Sequence, residues 1–278
     1  MYTTLIDCET LAENLENPDW IIIDSRYDLM DGEAGRAAWL ESHIAGAIYA
    51  SVSEDLSGIP GTDRGRHPMP SAETMVETFS RFGIDSSKQV VVYDDIGGAF
   101  AARLWWMLRY MQHEAVAVLD GGWSGWVSNE SRAVEFGGKE NSAVVFSGAA
   151  KSDRLAVVEQ ITEVPLLIDS RDPDRYQGKL EPIDRAAGHI PGAMNHFWKL
   201  NLNEEGHFHS PVQLAENFNQ ILKDVAAEDV VFYCGSGVTA CHNLLAMAHA
   251  GFAEPRLYGG SWSEWCSDPQ RPVATGLI

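Results

Sequence analysis

The stretch VVFYCGSGVTACHNLL, residues 230–245, places a cysteine directly after four strand-forming residues. Valine, phenylalanine and tyrosine favour β-strands, and a short apolar run indicates a buried strand. The glycines that follow, Gly235 and Gly237, allow backbone angles that other residues resist. The segment therefore predicts a strand, a tight loop and a helix, with Cys234 at the first position of the loop.

Length and charge restrict the classes of protein that need to be considered. The chain has 278 residues, more than one hydrophobic core usually supports, so we expect two domains. Its formal charge of −20 repels nucleic acids and anionic membranes, so we expect neither as a partner. The beginning, MYTTLIDCETLAENLENPDW, has no basic segment and no long apolar run, which favours a cytoplasmic location.

The four cysteines show no spacing typical of a metal site. We therefore expect no bound metal, and in a reducing compartment we expect these cysteines to be thiols. Cys8, Cys241 and Cys266 have the context of small buried apolar residues, because unpaired cysteine is among the most buried residue types. Only Cys234 has a context that indicates chemistry.

The chain contains one internal repeat, with matching motifs about 140 residues apart. WIIIDSRYDL is matched by LLIDSRDPDRY, SHIAGAIY by GHIPGAMN, VVVYDDIGGAFAARLWWML by VVFYCGSGVTACHNLLAMA, and LDGGWSGW by YGGSWSEW. Apolar runs at residues 90–93 and 230–233 alternate with helical patterns, which is typical of α/β folds. We predict two tandem α/β domains, each a mostly parallel sheet with helices on both faces. The predicted bounds are 1–140 and 155–278, with a linker at 141–154.

We expect the loop after Cys234 to bind anions. Its glycines allow successive N–H groups to point inward as far as Thr239. A helix that starts near Val238 adds the positive end of its dipole. A sulfur atom in this position is favoured as an anion, either as a thiolate or as a persulfide.

The equivalent loop of the first domain, YDDIGGAF, has Asp94 in place of the cysteine. A carboxylate cannot accept a sulfane sulfur, so we predict that the N-terminal domain is catalytically silent.

A cysteine phosphatase also uses a strand, a cysteine loop and a helix N-terminus. That chemistry requires an arginine that clamps two phosphate oxygens. The segment GSGVTACHN contains neither arginine nor lysine, so the sequence favours sulfur transfer.

Together, the tandem domains, the HIAGA and HIPGA loops, the DGGW segment and the CGSGVTA loop resemble the two-domain rhodanese-type sulfurtransferases. Within that family, a neutral loop after the cysteine is typical of 3-mercaptopyruvate sulfurtransferases, whereas thiosulfate sulfurtransferases commonly have basic residues there. The resemblance implies that Arg175 and Arg185 bind the substrate carboxylate and keto group. It also implies a persulfide on Cys234, formed from a small-molecule sulfur donor, and a thiol, thioredoxin or cyanide as acceptor, without any cofactor.

The resemblance further implies that Ser236 and His67 assist the cysteine, and that Gly235, Gly237, Val238 and Thr239 form the substrate-binding loop. At the position of the family's relay aspartate the chain has Ser53, followed by Glu54 and Asp55. Either a neighbouring acid replaces that aspartate or the proton route differs. The other histidines are interpreted as structural, at His43 and His189, or as solvated, at His196, His207 and His209.

Three alternatives stay open at this point. Thiosulfate can be the preferred donor, with cyanide as acceptor. The chain can also be a persulfide carrier or binding protein without turnover of its own. A non-catalytic interaction module fits the silent first domain but leaves the Cys234 loop without a purpose.

Overall fold

A computed structural model describes residues 1–61 and 63–277, which form two compact units. The first unit comprises residues 1–56, 70–151 and 204–208. The second comprises the described residues of 57–69, residues 152–203 and the chain from residue 209 onward. The second unit therefore includes a short segment from the first half of the chain. The domain and linker bounds given above stay a prediction.

The first unit contains a five-stranded parallel sheet in the order β1-β6-β5-β2-β4, while β3 and β7 form a separate antiparallel pair. Its strands are β1 (Leu5–Ile6), β2 (Trp20–Asp24), β3 (His43–Ile44), β4 (Ile48–Tyr49), β5 (Gln89–Tyr93), β6 (Val116–Leu119) and β7 (Val134–Glu135). Its helices are α1 (Cys8–Glu13), α2 (Ala34–Glu41), α3 (Ala72–Arg81), α4 (Ala101–Tyr110) and α5 (Gly122–Val127).

The second unit contains another five-stranded parallel sheet, in the order β8-β12-β11-β9-β10. Its strands are β8 (Leu155–Ala156), β9 (Leu166–Asp169), β10 (Met194–Asn195), β11 (Val230–Tyr233) and β12 (Arg256–Tyr258). Its α-helices are α6 (Pro173–Tyr176), α7 (Pro211–Leu222), α8 (Ala240–His249) and α9 (Ser261–Trp265). Short 3-10 helices span Ser152–Arg154, Val158–Glu163, Trp198–Asn201 and Ala227–Asp229.

The two sheets follow the same strand order when the repeated motifs are aligned. Strand β5 of the first unit corresponds to β11 of the second, and every residue of both strands is buried. Both strands are third in their sheet and lead into a loop and a helix. The prediction of two α/β domains with mostly parallel sheets is confirmed.

The Asp-Ser-Arg motif that ends β2 and β9 has a structural role in each unit. Arg26 binds Asp24 through Nη2 at 2.7 Å and also donates to the carbonyl of Ser42. Arg171 binds Asp169 at 2.6 Å and donates to the carbonyl of Gly188. Both guanidinium carbons lie 4.6 Å from a tryptophan ring centroid, that of Trp123 or Trp262. The motif therefore joins the strand end to the His-Ile-x-Gly-Ala loop and to the Gly-x-Trp segment.

Residues 136–151 contain no helix or strand. Phe146 within this stretch is nevertheless buried, with its ring centroid 5.0 Å from that of Phe79. Cys8, Cys241 and Cys266 are buried thiols, as the sequence predicts, and Cys234 is buried as well. In the part of the chain that the structure describes, no helix is both long and apolar enough to cross a membrane.

Candidate active site

Cys234 lies at the carboxyl end of β11, where parallel sheets commonly bind ligands. The loop that follows turns at Gly237, which has a φ of +78°. Helix α8 begins at Ala240, with Thr239 as the residue that precedes it. The predicted start near Val238 is therefore two residues early, because Val238 still belongs to the loop and Thr239 is the residue that caps the helix.

Cys234 is 2% exposed, and its sulfur accepts a hydrogen bond from the backbone N–H of Gly237 at 3.2 Å. The N–H of Cys234 itself donates to Ser261 Oγ at 3.1 Å, and its carbonyl accepts from the N–H of Trp262 at 3.0 Å. The backbone of Cys234 is therefore fixed on both sides, and one N–H donor is directed at its sulfur. A donor in this position stabilises negative charge on sulfur.

His67 and Ser236 are in direct contact in the second unit. Nδ1 of His67 lies 2.8 Å from Oγ of Ser236. The two residues are 9% and 5% exposed. A hydroxyl and an imidazole at this distance can pass a proton between them, next to the loop that carries the cysteine.

The segment that contains His67 reaches the site because its backbone passes unusually close to helix α9. Gly65 has a φ of +81°, and a β-carbon at this position would lie 2.7 Å from the carbonyl oxygen of Gly260. The N–H of Arg66 donates to Ser263 Oγ at 3.1 Å. A side chain at position 65 would push the segment away, so glycine is required there.

Two arginines lie beside Gly235, and only one of them, Arg175, is predicted by the sequence. A β-carbon on Gly235 would lie 2.9 Å from Nη2 of Arg66 and 3.5 Å from Nη1 of Arg175. Arg175 has the position that the resemblance implies. Arg66 was missed, although it directly precedes His67 in the sequence RGRHPMP. Two guanidinium groups from other segments therefore lie beside a loop that has no cation of its own.

Two acidic residues bind these arginines. Asp184 accepts from Nε of Arg66 at 2.8 Å and from Nη2 of Arg175 at 3.0 Å. Glu181 accepts from Nη2 of Arg175 at 2.8 Å. Burial alone would raise the pKa of the Glu181 carboxyl, but hydrogen bonds from Arg175 and from the backbone of Asp184 outweigh burial and lower that pKa. The arginines are thus held in fixed orientations by hydrogen bonds to two carboxylates.

The structure places the remaining predicted residues as follows. Arg185 is exposed and donates to the carbonyl of Ser267 at 3.2 Å; none of the three atoms nearest to the Gly235 β-carbon position belongs to it. Val238 is buried, and Thr239 is partly buried. Ser53 belongs to the first unit, is exposed, and has its Oγ 3.1 Å from that of Ser51. The roles of Arg185 and Ser53 stay predictions.

The prediction that His196 is solvated is wrong. His196 is 4% exposed, and its Nε2 lies 3.2 Å from Oδ1 of Asn201. Asn201 and Asn243, which also bond to each other, surround it with polar partners in the interior. Burial lowers the pKa of His196, although the Asn201 hydrogen bond opposes this change.

The first unit has a carboxylate where the second has the sulfur. Asp94 is fully buried, and its two oxygens accept hydrogen bonds from the N–H groups of Ile96, Gly98, Phe100 and Ala101 at 2.7 to 3.0 Å. The loop therefore does form an anion-binding nest in this fold, and the side chain of Asp94 fills it. A site for an external anion is not present at this loop.

No cluster of three or more histidine, cysteine, aspartate or glutamate side chains suited to a metal ion occurs within residues 1–61 and 63–277.

Both halves of the chain match a known family of domains. The model of the rhodanese-like domain matches residues 7–129 and again residues 155–268. The chain is 40% identical to a probable 3-mercaptopyruvate sulfurtransferase of Pseudomonas aeruginosa, over 98% of each chain. It is 38% identical to a putative thiosulfate sulfurtransferase of Mycobacterium tuberculosis, over 98% of this chain and 97% of that one. This protein therefore belongs to the rhodanese family, with two copies of the domain.

A solved structure leads to the same conclusion. The 3-mercaptopyruvate sulfurtransferase from Leishmania major superposes with a TM-score of 0.84 and 29% identity, covering 97% of this chain and 75% of that one. The resemblance to the two-domain rhodanese-type sulfurtransferases is therefore confirmed.

Proposed function

We propose that this protein is a sulfurtransferase that moves a sulfane sulfur from 3-mercaptopyruvate, through a persulfide on Cys234, to a thiol or to cyanide. The observation that carries the proposal is the Cys234 loop: the Gly237 N–H is directed at the Cys234 sulfur, Ser236 pairs with His67, and two arginines lie beside Gly235. The names of the relatives from Pseudomonas aeruginosa and Leishmania major support 3-mercaptopyruvate as the donor.

In the first half of the reaction, the Cys234 thiolate attacks the sulfur of 3-mercaptopyruvate. An S–S bond forms and the C–S bond breaks, so that its electron pair leaves on the enolate of pyruvate. The His67–Ser236 pair protonates that enolate to pyruvate. Arg175, which lies beside Gly235, binds the donor carboxylate and orients the sulfur toward Cys234.

In the second half, the outer sulfur of the Cys234 persulfide is attacked by the acceptor. The S–S bond breaks, its electron pair returns to the Cys234 sulfur, and the acceptor leaves as a persulfide or as thiocyanate. The Gly237 N–H, 3.2 Å from the sulfur, stabilises the thiolate that is released. A reduced thioredoxin fits the thiol class of acceptor, and the cytoplasm is the compartment that we propose for the reaction.

The experiment that tests this function compares the two donors. Purified protein is incubated with cyanide and either 3-mercaptopyruvate or thiosulfate, and the thiocyanate formed is measured. We expect faster turnover with 3-mercaptopyruvate and none in Cys234→Ser. The matched control is Cys8→Ser, a buried thiol in the first unit, which should keep its activity.

Two other outcomes identify the alternatives. Faster turnover with thiosulfate would make the protein a thiosulfate sulfurtransferase, as the relative from Mycobacterium tuberculosis is named. A mass increase of about 32 Da on Cys234, without repeated turnover, would indicate a persulfide carrier.

A further inference from the structure

Asp184 bridges the two arginines that lie beside Gly235. Its side chain is 3% exposed, and it accepts from Arg66 through both oxygens, at 2.8 and 3.1 Å. Its Oδ2 also accepts from Nη2 of Arg175 at 3.0 Å. One buried carboxylate thus joins a guanidinium from the segment before His67 to a guanidinium on helix α6.

The positive and negative charges of the ion pairs around Asp184 are equal in number. Arg175 also binds Glu181, and Nη1 of Arg171 lies 3.3 Å from the same carboxylate. Arg171 is in turn paired with Asp169. The connected group therefore contains three arginines and three carboxylates and has no net charge, which is unexpected for a site that binds anions.

We infer that Asp184 sets the donor selectivity of the site by cancelling one positive charge, so that monoanionic donors are favoured over dianionic ones. The inference rests on the proposed function. It also assigns Arg66 to the anion-binding side of the loop as a second guanidinium beside Arg175. Asp184 itself is a positioning residue, because it acts through the two arginines.

The selectivity follows from the charges of the two donors. 3-Mercaptopyruvate has one negative charge, on its carboxylate, whereas thiosulfate has two. A monoanion can use the N–H groups of the two guanidiniums without requiring a surplus of positive charge. A dianion loses more hydration free energy when it leaves water, and a neutral cluster offers no net positive charge to compensate this loss. The formal charge of −20 on the protein adds a field that repels the dianion.

The test measures the ratio of kcat/KM for thiosulfate to kcat/KM for 3-mercaptopyruvate. Asp184→Asn leaves one unit of positive charge in the cluster, so the ratio should rise, on the order of tenfold. Arg66→Gln leaves one unit of negative charge, so the ratio should fall by about the same factor. Where thiosulfate turnover is too slow, its inhibition constant against 3-mercaptopyruvate takes the place of its kcat/KM.

Asp174→Asn is the matched control. Asp174 lies on the same helix as Arg175, its side chain is 60% exposed, and it is paired with Lys179. This substitution changes the net charge of the protein by the same unit, outside the cluster, and the ratio should not move. Thermal melting identifies any variant that has not folded. If one of the two cluster variants does not fold, the shift of the ratio in the other tests the inference alone.

The outcomes separate the inference from the proposed function. Shifts in opposite directions for the two cluster variants support the inference. A ratio that stays constant, or an equal shift in Asp174→Asn, overturns the inference while wild-type turnover of 3-mercaptopyruvate leaves the proposed function intact. A wild type that prefers thiosulfate, or turns over neither donor, overturns both.

Discussion

His67 and Ser236 are 169 residues apart in the chain, yet Nδ1 of the first lies 2.8 Å from Oγ of the second. Neither residue belongs to a helix or a strand. His67 comes from a segment tied to helix α9, and Ser236 lies two residues after the cysteine. The contact therefore depends on the tertiary structure of the second unit, and it places a proton donor and acceptor beside the nucleophile.

The first prediction concerns this pair. Ser236→Ala and His67→Gln should each lower kcat for 3-mercaptopyruvate by about 10²-fold, because each removes one partner of a proton transfer. The double variant should be no slower than the slower single variant, since both residues serve one route. Stopped-time thiocyanate assays measure all three. Losses that multiply would contradict a shared route.

Ser53→Ala, made in parallel, tests the third residue of the predicted relay. A loss similar to that in Ser236→Ala would support the relay, and wild-type kcat would remove Ser53 from it.

The second prediction concerns Gly237. Its φ is +78°, and a β-carbon there would lie 2.3 Å from the carbonyl oxygen of Gly259. Gly237→Ala should therefore displace the loop, abolish the N–H contact to the Cys234 sulfur and destabilise the protein by about 3 kcal/mol. Gly251→Ala is the control, because Gly251 has a φ of +86° but no atom within 4 Å of its β-carbon position. Its cost should be only about 1 kcal/mol, from backbone strain.

Urea unfolding, with activity measured on the same samples, distinguishes the two glycine variants. Equal losses of stability in both variants would show that the contact with Gly259 has no effect of its own.

The third prediction concerns Asp94. Asp94→Ala leaves the N–H groups of Ile96, Gly98, Phe100 and Ala101 without the carboxylate that they bind. Each unsatisfied buried donor costs roughly 1–3 kcal/mol, so the free energy of unfolding should fall by about 3 kcal/mol or more. Asp95→Ala, at the exposed neighbouring position, should change it by less than about 0.5 kcal/mol. A midpoint of urea unfolding that is the same for both variants would argue against a structural role for the filled nest.

The fourth prediction concerns acid sensitivity. Burial lowers the pKa of His196, and likewise that of His113 in the first unit, so the folded protein favours their neutral forms. As the pH falls, these histidines take up protons near pH 6.5 in the unfolded chain, but only at lower pH in the folded protein. The stability that their neutral forms provide is therefore lost as the pH falls below about 6.5.

His196→Gln should therefore reduce the slope of the unfolding free energy against pH below about pH 6.5. His209→Gln, at a less buried histidine, serves as the control. Denaturant unfolding at several pH values provides the slopes. A slope in His196→Gln equal to that of the wild type would be incompatible with a buried neutral imidazole.

The cysteine loop could be predicted because its information is local. Strand formers before Cys234 and glycines after it specify the strand end and the turn, and the repeat shows which residue replaces the cysteine in the other copy. Arg66 could not be predicted in this way. Its place beside Gly235 depends on an ion pair with Asp184, 118 residues away, and on the close approach of Gly65 to helix α9.

The error at His196 has a similar origin. No motif around His196 indicates whether this histidine is solvated or buried, and its burial is seen only in the folded structure. Asn201 and Asn243 make an interior position suitable for an imidazole, and neither residue shows this role in the sequence pattern.

The segment that contains Arg66 and His67 has a consequence for how the gene could be divided. A reading frame cut between the two repeats, before residue 152, would encode a second half with the cysteine, its loop and Asp184. That polypeptide would lack the imidazole partner of Ser236 and one of the two guanidiniums beside Gly235. A division at the boundary between the repeats would therefore separate the cysteine from two side chains of its own site, although the repeat itself suggests that boundary.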